Sequence, residues 1–187
     1  MSDTQVPVST PDLHYLEPKV DVERRRDGSI ILASPHPLGQ GMAQLGMYLR
    51  HWAGEAPERT FLAEREDPTC EGGGGGGGWR ELSFGAARGQ ADAISQGLLD
   101  RGLGPDRPLM ILSGNSLKHA MLTHGAMQVG IPVAPVSPAY SLMSQDFAKL
   151  RHIFDLVDPA LIYVEARAPF AAALASLGDV GILEGDG

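Results

Sequence analysis

Continuous apolar runs alternate with segments of helical periodicity along most of this chain. The runs RPLMIL, PVAPV, PALIYV and VGILEG contain few polar residues, which predicts strands of a parallel sheet buried on both faces. The segments between these runs carry apolar residues at three- and four-residue spacing, which predicts helices. Strands that alternate with helices are typical of a doubly wound α/β fold, so we expect a mostly parallel sheet flanked by helices.

Three of the predicted helices show their boundaries or their inward face in the sequence. Ser83 is placed to cap one helix and Gly102 to end it, while Asn115 or Ser116 caps the next, which Gly130 ends before Pro132. We expect the following residues to face inward: Met42, Leu45, Leu49 and Trp52 in an early helix, Phe84, Ala87, Ala91, Ile94 and Leu98 in the second, and Leu117, Ala120, Met121, His124 and Met127 in the third.

The first part of the chain is less regular. Residues 1–28 are rich in proline and charge and predict a loose N-terminal arm, followed by a short strand at residues 29–33. The segments RTFLAERE and GWRELSF predict two further strands, joined by a glycine loop at residues 71–78. This loop lacks the Lys, Ser or Thr of a phosphate-binding loop, and uninterrupted glycine is costly to order. We therefore interpret it as a flexible hairpin connection.

Composition excludes several classes of protein. The 187 residues carry a formal net charge of −8, which argues against a nucleic-acid partner. A single cysteine, Cys70, excludes an internal disulfide and a multi-cysteine zinc site. The sequence has neither an apolar run of membrane-spanning length nor a signal peptide, so we expect a cytoplasmic protein with no membrane partner.

Polar residues that follow two predicted strands are the candidates for ligand contacts. Ser113 and Asn115 lie in LSGNS, a strand-to-helix turn of the kind where α/β folds bind ligands, although the same residues suit a helix cap. Ser137 and Tyr140 lie in the proline-containing loop SPAYSLMS, where a rigid turn would use the same residues. All four are weak candidates for substrate contacts. The residues alone assign no catalytic, cofactor-binding or metal-binding position.

The order of the segments resembles a known family of enzymes. The segments SIILASPHPLG, GWRELSFGAARGQADAISQGLLDRGL and RPLMILSGNSLKHAMLTHGAMQVGIPVAPVSPAYSL together are similar to the N-terminal region of AMP-forming acyl-CoA synthetases, which are adenylate-forming ligases. Within that family, ILSGNS, GIPVAPVSPAYSL and KLRHI most resemble feruloyl-CoA synthase. The resemblance runs from about Gly28 to Val164.

The resemblance implies a function for the family that this chain does not carry by itself. It implies that an aryl carboxylate, ATP and CoA give acyl-CoA, AMP and pyrophosphate, with Mg²⁺ as the metal. The family's adenylation motifs lie beyond the region of resemblance, so no catalytic residue is carried over. We expect residues 29–187 to form an incomplete N-terminal α/β subdomain of an AMP-binding ligase, inactive alone and with no tight binding of ATP, Mg²⁺ or CoA.

Two other functions stay open at this stage. The chain could be a non-catalytic partner or complementing module of a split ligase, joined to the remaining ligase segment or to itself through an open sheet edge near residues 180–183. It could instead be an independent flavodoxin-like domain that binds its own ligand, for which LSGNS is the one candidate phosphate loop.

Overall fold

The structure is a computed structural model that describes residue 17, residues 19–65 and residues 78–185. The predicted glycine loop lies outside the described residues except for Gly78. The chain divides into two compact units, residues 1–41 and 42–187.

Fourteen helices and strands are present in the described residues. In chain order they are β1 Asp21–Arg24, β2 Ile30–Ala33, α1 Leu45–Glu55, β3 Thr60–Arg65, β4 Trp79–Ser83, α2 Phe84–Asp100, β5 Leu109–Ile111, α3 Leu117–Gln128, β6 Val133–Pro135, α4 Ala139–Leu142, α5 Ala148–Val157, β7 Leu161–Val164, α6 Arg167–Ala175 and β8 Gly181–Glu184.

The first unit contains an antiparallel hairpin of β1 and β2. Gly28 turns the chain at a φ of 87°, and the Asp27 carboxylate accepts hydrogen bonds from the Ser29 hydroxyl and N–H. The Ser29 hydroxyl is the main cause of a lowered pKa for Asp27. Residues 21–28 therefore belong to a hairpin, and the prediction of a loose arm was wrong for them. An Asp-Gly turn between two short strands explains the difference.

The second unit is built on a four-stranded parallel sheet in the order β6-β5-β7-β8, which confirms the predicted fold class. β5 and β7 are buried at every residue because helices cover both faces. One face packs under α2 and α3, with Leu98 and Leu122 in its core, and the other packs under α5 and α6, with Leu150 and Phe170. Beside the sheet, β3 and β4 form the predicted hairpin.

The capping signals of α2 and α3 are confirmed. Ser83 accepts a hydrogen bond from Ala86 N–H, and Ser116 accepts one from His119 N–H. Gly102 and Gly130 have φ of 74° and 79° and follow the last turns of the two helices. At each end the glycine N–H bonds three residues back and the next N–H bonds five residues back, which is the Schellman arrangement.

Three residues that were predicted to face inward are exposed, and one predicted loop contains a helix. Of the stripe on α1, Leu49 is buried, whereas Leu45 is exposed and Trp52 is at the surface. Met127 of α3 is also exposed, at 43%. The predicted loop SPAYSLMS contains the single turn α4, because Pro138 adopts helical angles and its carbonyl accepts from Ser141 and Leu142.

Candidate functional site

The carboxyl edge of the parallel sheet is the place where an α/β fold of this kind binds ligands. β5 lies inside the sheet, and the chain continues from it to β6 on one side and then to β7 on the other. The turns after β5 and β7 therefore flank the point where the strand order reverses. The helices that follow these two turns are α3 and α6, so their N-termini are the candidate anion sites at this edge.

The N-terminus of α3 is already occupied by a carboxylate from the hairpin. Glu64 of β3 accepts a hydrogen bond from the Leu117 N–H, at 2.5 Å, and the Arg80 guanidinium pairs with its other oxygen. Glu64 and Arg80 are direct partners in the β3–β4 ladder, which holds the carboxylate in place. Together with the Ser116 cap, this contact uses the Leu117 and His119 N–H groups at the start of the helix.

The N-terminus of α6 is occupied in the same way. Glu184 of β8 accepts a hydrogen bond from the Arg167 N–H at 2.7 Å. A phosphate at either helix would meet the negative charge of the carboxylate that already accepts from the first N–H of that helix. These two positions therefore do not fit the phosphates of ATP. The sequence predictions missed both glutamates, because each reaches its helix only through the packing of a strand.

Ser113 and Asn115 lie at the start of α3, as predicted. Ser113 is 3% exposed, and its hydroxyl lies 3.2 Å from the Gly114 carbonyl and 3.3 Å from His119 Nδ1. The same nitrogen lies 3.0 Å from the Gly114 carbonyl, so these groups stabilise the turn. Asn115 is exposed and lines a cleft of about 350 Å³ together with Glu64 and His119.

Ser137 and Tyr140 belong to a different region, after β6. Ser137 is exposed, and its carbonyl accepts a hydrogen bond from the Tyr140 N–H at 3.0 Å. The Tyr140 ring lines a shallow groove with α5, and the Lys149 ammonium lies 5.4 Å from the ring centroid. The four candidate residues are thus divided between two surfaces.

A buried hydroxyl lies near the same edge of the sheet. Tyr163 of β7 is 4% exposed, and among the described residues its hydroxyl has no hydrogen-bond partner. A side chain at Gly185 would collide with it, since an ideal Cβ there would lie 2.5 Å from the hydroxyl. Burial, followed by the charge of Glu165, raises the pKa of Tyr163 above its ordinary value of 10.0.

The described residues show no cluster of three or more His, Cys, Asp or Glu side chains that could hold a metal ion. Within the same residues, no helix is both long and apolar enough to cross a membrane.

His124 is a structural residue whose burial makes stability depend on pH. Its ring packs edge-on against the Phe61 ring, with 5.5 Å between the two ring centroids. Burial lowers the pKa of His124 below its ordinary value of 6.5. As pH falls below about 6.5, His124 is therefore protonated in the unfolded chain before it is protonated in the folded chain. The free energy of unfolding falls with pH as a result. We expect the free energy of unfolding to fall less between pH 7 and pH 5 in His124→Gln than in the native chain.

Urea unfolding at a series of pH values measures this difference. His152→Gln is the matched control, because His152 is exposed on α5. We expect its replacement to leave the slope of the free energy of unfolding against pH unchanged. Equal slopes for the native chain and His124→Gln would contradict the prediction.

Comparison with known proteins identifies the family. The sequence profile described as "AMP-binding enzyme" matches residues 49–184. This segment covers both the hairpin of β3 and β4 and the whole parallel sheet. The chain belongs to the family of AMP-binding enzymes. No curated protein matches the chain.

Solved structures show the same fold at low sequence identity. VinN is 17% identical, with a TM-score of 0.58 over 75% of this chain and 32% of VinN. The fatty acid AMP ligase from Legionella pneumophila is 16% identical, with a TM-score of 0.55 over 67% of this chain and 20% of that protein. The N-terminal domain of FACL13 from Mycobacterium tuberculosis is 17% identical, with a TM-score of 0.58 over 76% of this chain and 34% of that domain. The chain thus spans between a fifth and about a third of these structures.

Proposed function

We propose that this chain supplies the N-terminal α/β subdomain of an adenylate-forming acid ligase. The observation that carries the proposal is the family match over residues 49–184. The likeness of the sheet and its helices to the L. pneumophila fatty acid AMP ligase supports the same assignment of fold. In this proposal the chain is a scaffold, and the groups that handle ATP come from another segment.

The reaction we propose for the complete enzyme is acid–CoA ligation of the feruloyl-CoA synthase type. An aryl carboxylate, ATP and CoA would give acyl-CoA, AMP and pyrophosphate, in the presence of Mg²⁺ and in the cytoplasm. The support for this finer assignment is the similarity of ILSGNS, GIPVAPVSPAYSL and KLRHI to that enzyme.

We also propose that the chain alone does not adenylate an acid. Glu64 and Glu184 place negative charge at the N-termini of α3 and α6, the two helices that follow the turns at the reversal of strand order. These carboxylates leave the phosphates of ATP without a helix N-terminus at the carboxyl edge of the sheet. The adenylation step therefore depends on groups outside the part of the chain that the structure describes.

The test is an adenylation assay on the purified chain, with its mass verified. The chain is incubated with ATP, Mg²⁺ and one acid at a time from ferulate, coumarate, benzoate and a fatty acid, and acyl-AMP is measured by mass spectrometry. An active adenylate-forming ligase with its known acid serves as the positive control. We expect no acyl-AMP from the chain, and its formation in proportion to chain concentration would overturn the inactivity.

One observation favours a second function, that of a complementing module. β8 lies at the end of the sheet and pairs only with β7 among the described strands, so its outer edge is available to another strand. A split ligase would use this edge to join the segment that carries the adenylation motifs. Co-purification of the chain with such a segment, and adenylation by the pair alone, would favour the module.

A further inference from the structure

A shallow groove lies between α4 and the first two turns of α5. It has a volume of about 410 Å³ and is lined by Tyr140, Ala148, Lys149, His152 and Ile153. Tyr140 and Ile153 are partly buried and pack against the hydrophobic core under this face of the sheet. The core therefore fixes the two side chains that give the groove its apolar surface.

The charge in the groove is positive. The Lys149 ammonium lies 5.4 Å from the centroid of the Tyr140 ring, a distance at which a cation is attracted to the aromatic face. His152 lies one turn further along α5 and is exposed. None of the five described residues that line the groove is acidic. The lining thus combines a flat apolar surface with an accessible cation.

We propose that this groove binds a carboxylate with an aromatic or other apolar body. The body would lie on Tyr140 and Ile153, and the carboxylate would pair with the Lys149 ammonium. Tyr140 lies on α4, which follows the carboxyl end of the edge strand β6. The volume also falls within the usual range of about 300–1,000 Å³ for small-molecule sites.

The start of α5 does not supply the anion site by itself. The Ala148 N–H donates to the Asp146 carboxylate at 3.1 Å, so this helix terminus already has a negative partner. A phosphate would call for several donors, whereas a carboxylate on an apolar body needs one cation and a flat surface. Lys149 is therefore the group on which the proposal depends.

This inference takes its ligand class from the proposed function, since a ligase of this family acts on carboxylates, but the two can fail separately. Binding in the groove is measured without ATP and without any reaction. A chain that forms no acyl-AMP can still bind the carboxylate. Conversely, a chain that fails to bind it can still be a ligase subdomain.

The experiment is an amide NMR titration of the full 187-residue chain with cinnamate, and in parallel with cinnamamide, its uncharged counterpart. We expect saturable shifts for residues 139–143 and 148–153, with a dissociation constant of about 1 mM or a few times higher because the groove is open. Lys149→Met, which keeps an unbranched apolar side chain and removes the ammonium group, should weaken cinnamate binding about threefold. Cinnamamide should bind the native chain more weakly by a similar factor.

Two further variants distinguish binding of cinnamate in the groove from a general attraction to the positive charge of α5. Arg151→Met removes a positive charge from the same helix at a residue that does not line the groove, and we expect cinnamate binding to stay within about 1.5-fold of the native value. Tyr140→Leu keeps an apolar side chain without the ring and should weaken binding about threefold or more.

The proposal is overturned if the groove residues do not shift with cinnamate. It is also overturned if Lys149→Met and Arg151→Met weaken binding equally, or if cinnamamide binds as well as cinnamate. Shifts confined to the cleft that Glu64, Asn115 and His119 line would likewise contradict it.

Discussion

Gly125→Ala should lower the free energy of unfolding by about 2–3 kcal/mol, because α2 and α3 cross at this glycine with no room for a side chain. An ideal Cβ on Gly125 would lie 2.5 Å from Ile94 Cγ2, 2.8 Å from Ile94 Cβ and 3.1 Å from the Ala91 carbonyl oxygen. One of these neighbours is backbone, so a change of rotamer cannot relieve the whole clash. Urea unfolding followed by circular dichroism measures the loss, and Gly125→Val should cost more.

Gly89→Ala is the matched control for this substitution. Gly89 lies inside α2, is exposed, and has open space where a Cβ would be added. Alanine there should raise the free energy of unfolding by about 0.5–1 kcal/mol, because glycine is the more costly residue inside a helix. A Gly125→Ala chain as stable as the native one, or a loss equal in both variants, would show that the two helices do not pack this closely.

Glu64→Ala should lower the free energy of unfolding by about 1–3 kcal/mol. The substitution removes the acceptor of the Leu117 N–H at the start of α3 and leaves Arg80 without its partner in the hairpin. Hydrogen exchange of the Leu117 amide should become faster, and urea unfolding should show the loss of stability. The free energy of unfolding of Glu64→Gln should lie between those of the native chain and Glu64→Ala. The glutamine keeps an acceptor oxygen but loses the negative charge that is favourable at a helix N-terminus.

Glu81→Ala tests whether the effect belongs to the helix cap or to any glutamate of the hairpin. The Glu81 carboxylate accepts a hydrogen bond from the exposed Thr60 hydroxyl at 2.6 Å, whereas the acceptor of the Leu117 N–H is Glu64. We expect a loss below about 1 kcal/mol and no change in exchange at Leu117. If Glu81→Ala destabilised the chain as much as Glu64→Ala, the helix cap would not be the cause.

The strands of the parallel sheet and the ends of two helices were predictable from local sequence. β5 and β7 read as continuous apolar runs because both of their faces are covered, and the Schellman ends of α2 and α3 need glycine at a positive φ. The inward face of α3 was only partly predictable. This helix packs on two sides, with Met121 toward α1 and α2 and with Leu122 and Ala126 toward the sheet. A single stripe therefore describes it poorly, and Met127 is exposed as a result.

The candidate site was less predictable than the fold. Ser113 and Asn115 lie at the turn after β5, as the sequence indicated, but the residue that caps α3 is Ser116. The decisive groups, Glu64 and Glu184, reach α3 and α6 from residues 53 and 17 positions away along the chain. In the sequence each is an ordinary charged residue at the end of a strand. Only the packing of the strands beside the helices shows that they occupy the N-termini.

The central claim is that the helix N-termini at the carboxyl edge of this sheet are closed to phosphate. The most direct measurement is an amide NMR titration of the chain with pyrophosphate and, separately, with ATP and Mg²⁺. The signals of Leu117 and Arg167 report on the two helices. We predict that neither amide shifts saturably up to about 5 mM ligand. A saturable shift of either amide with a dissociation constant below about 1 mM would contradict the claim and would show that this sheet binds phosphate itself.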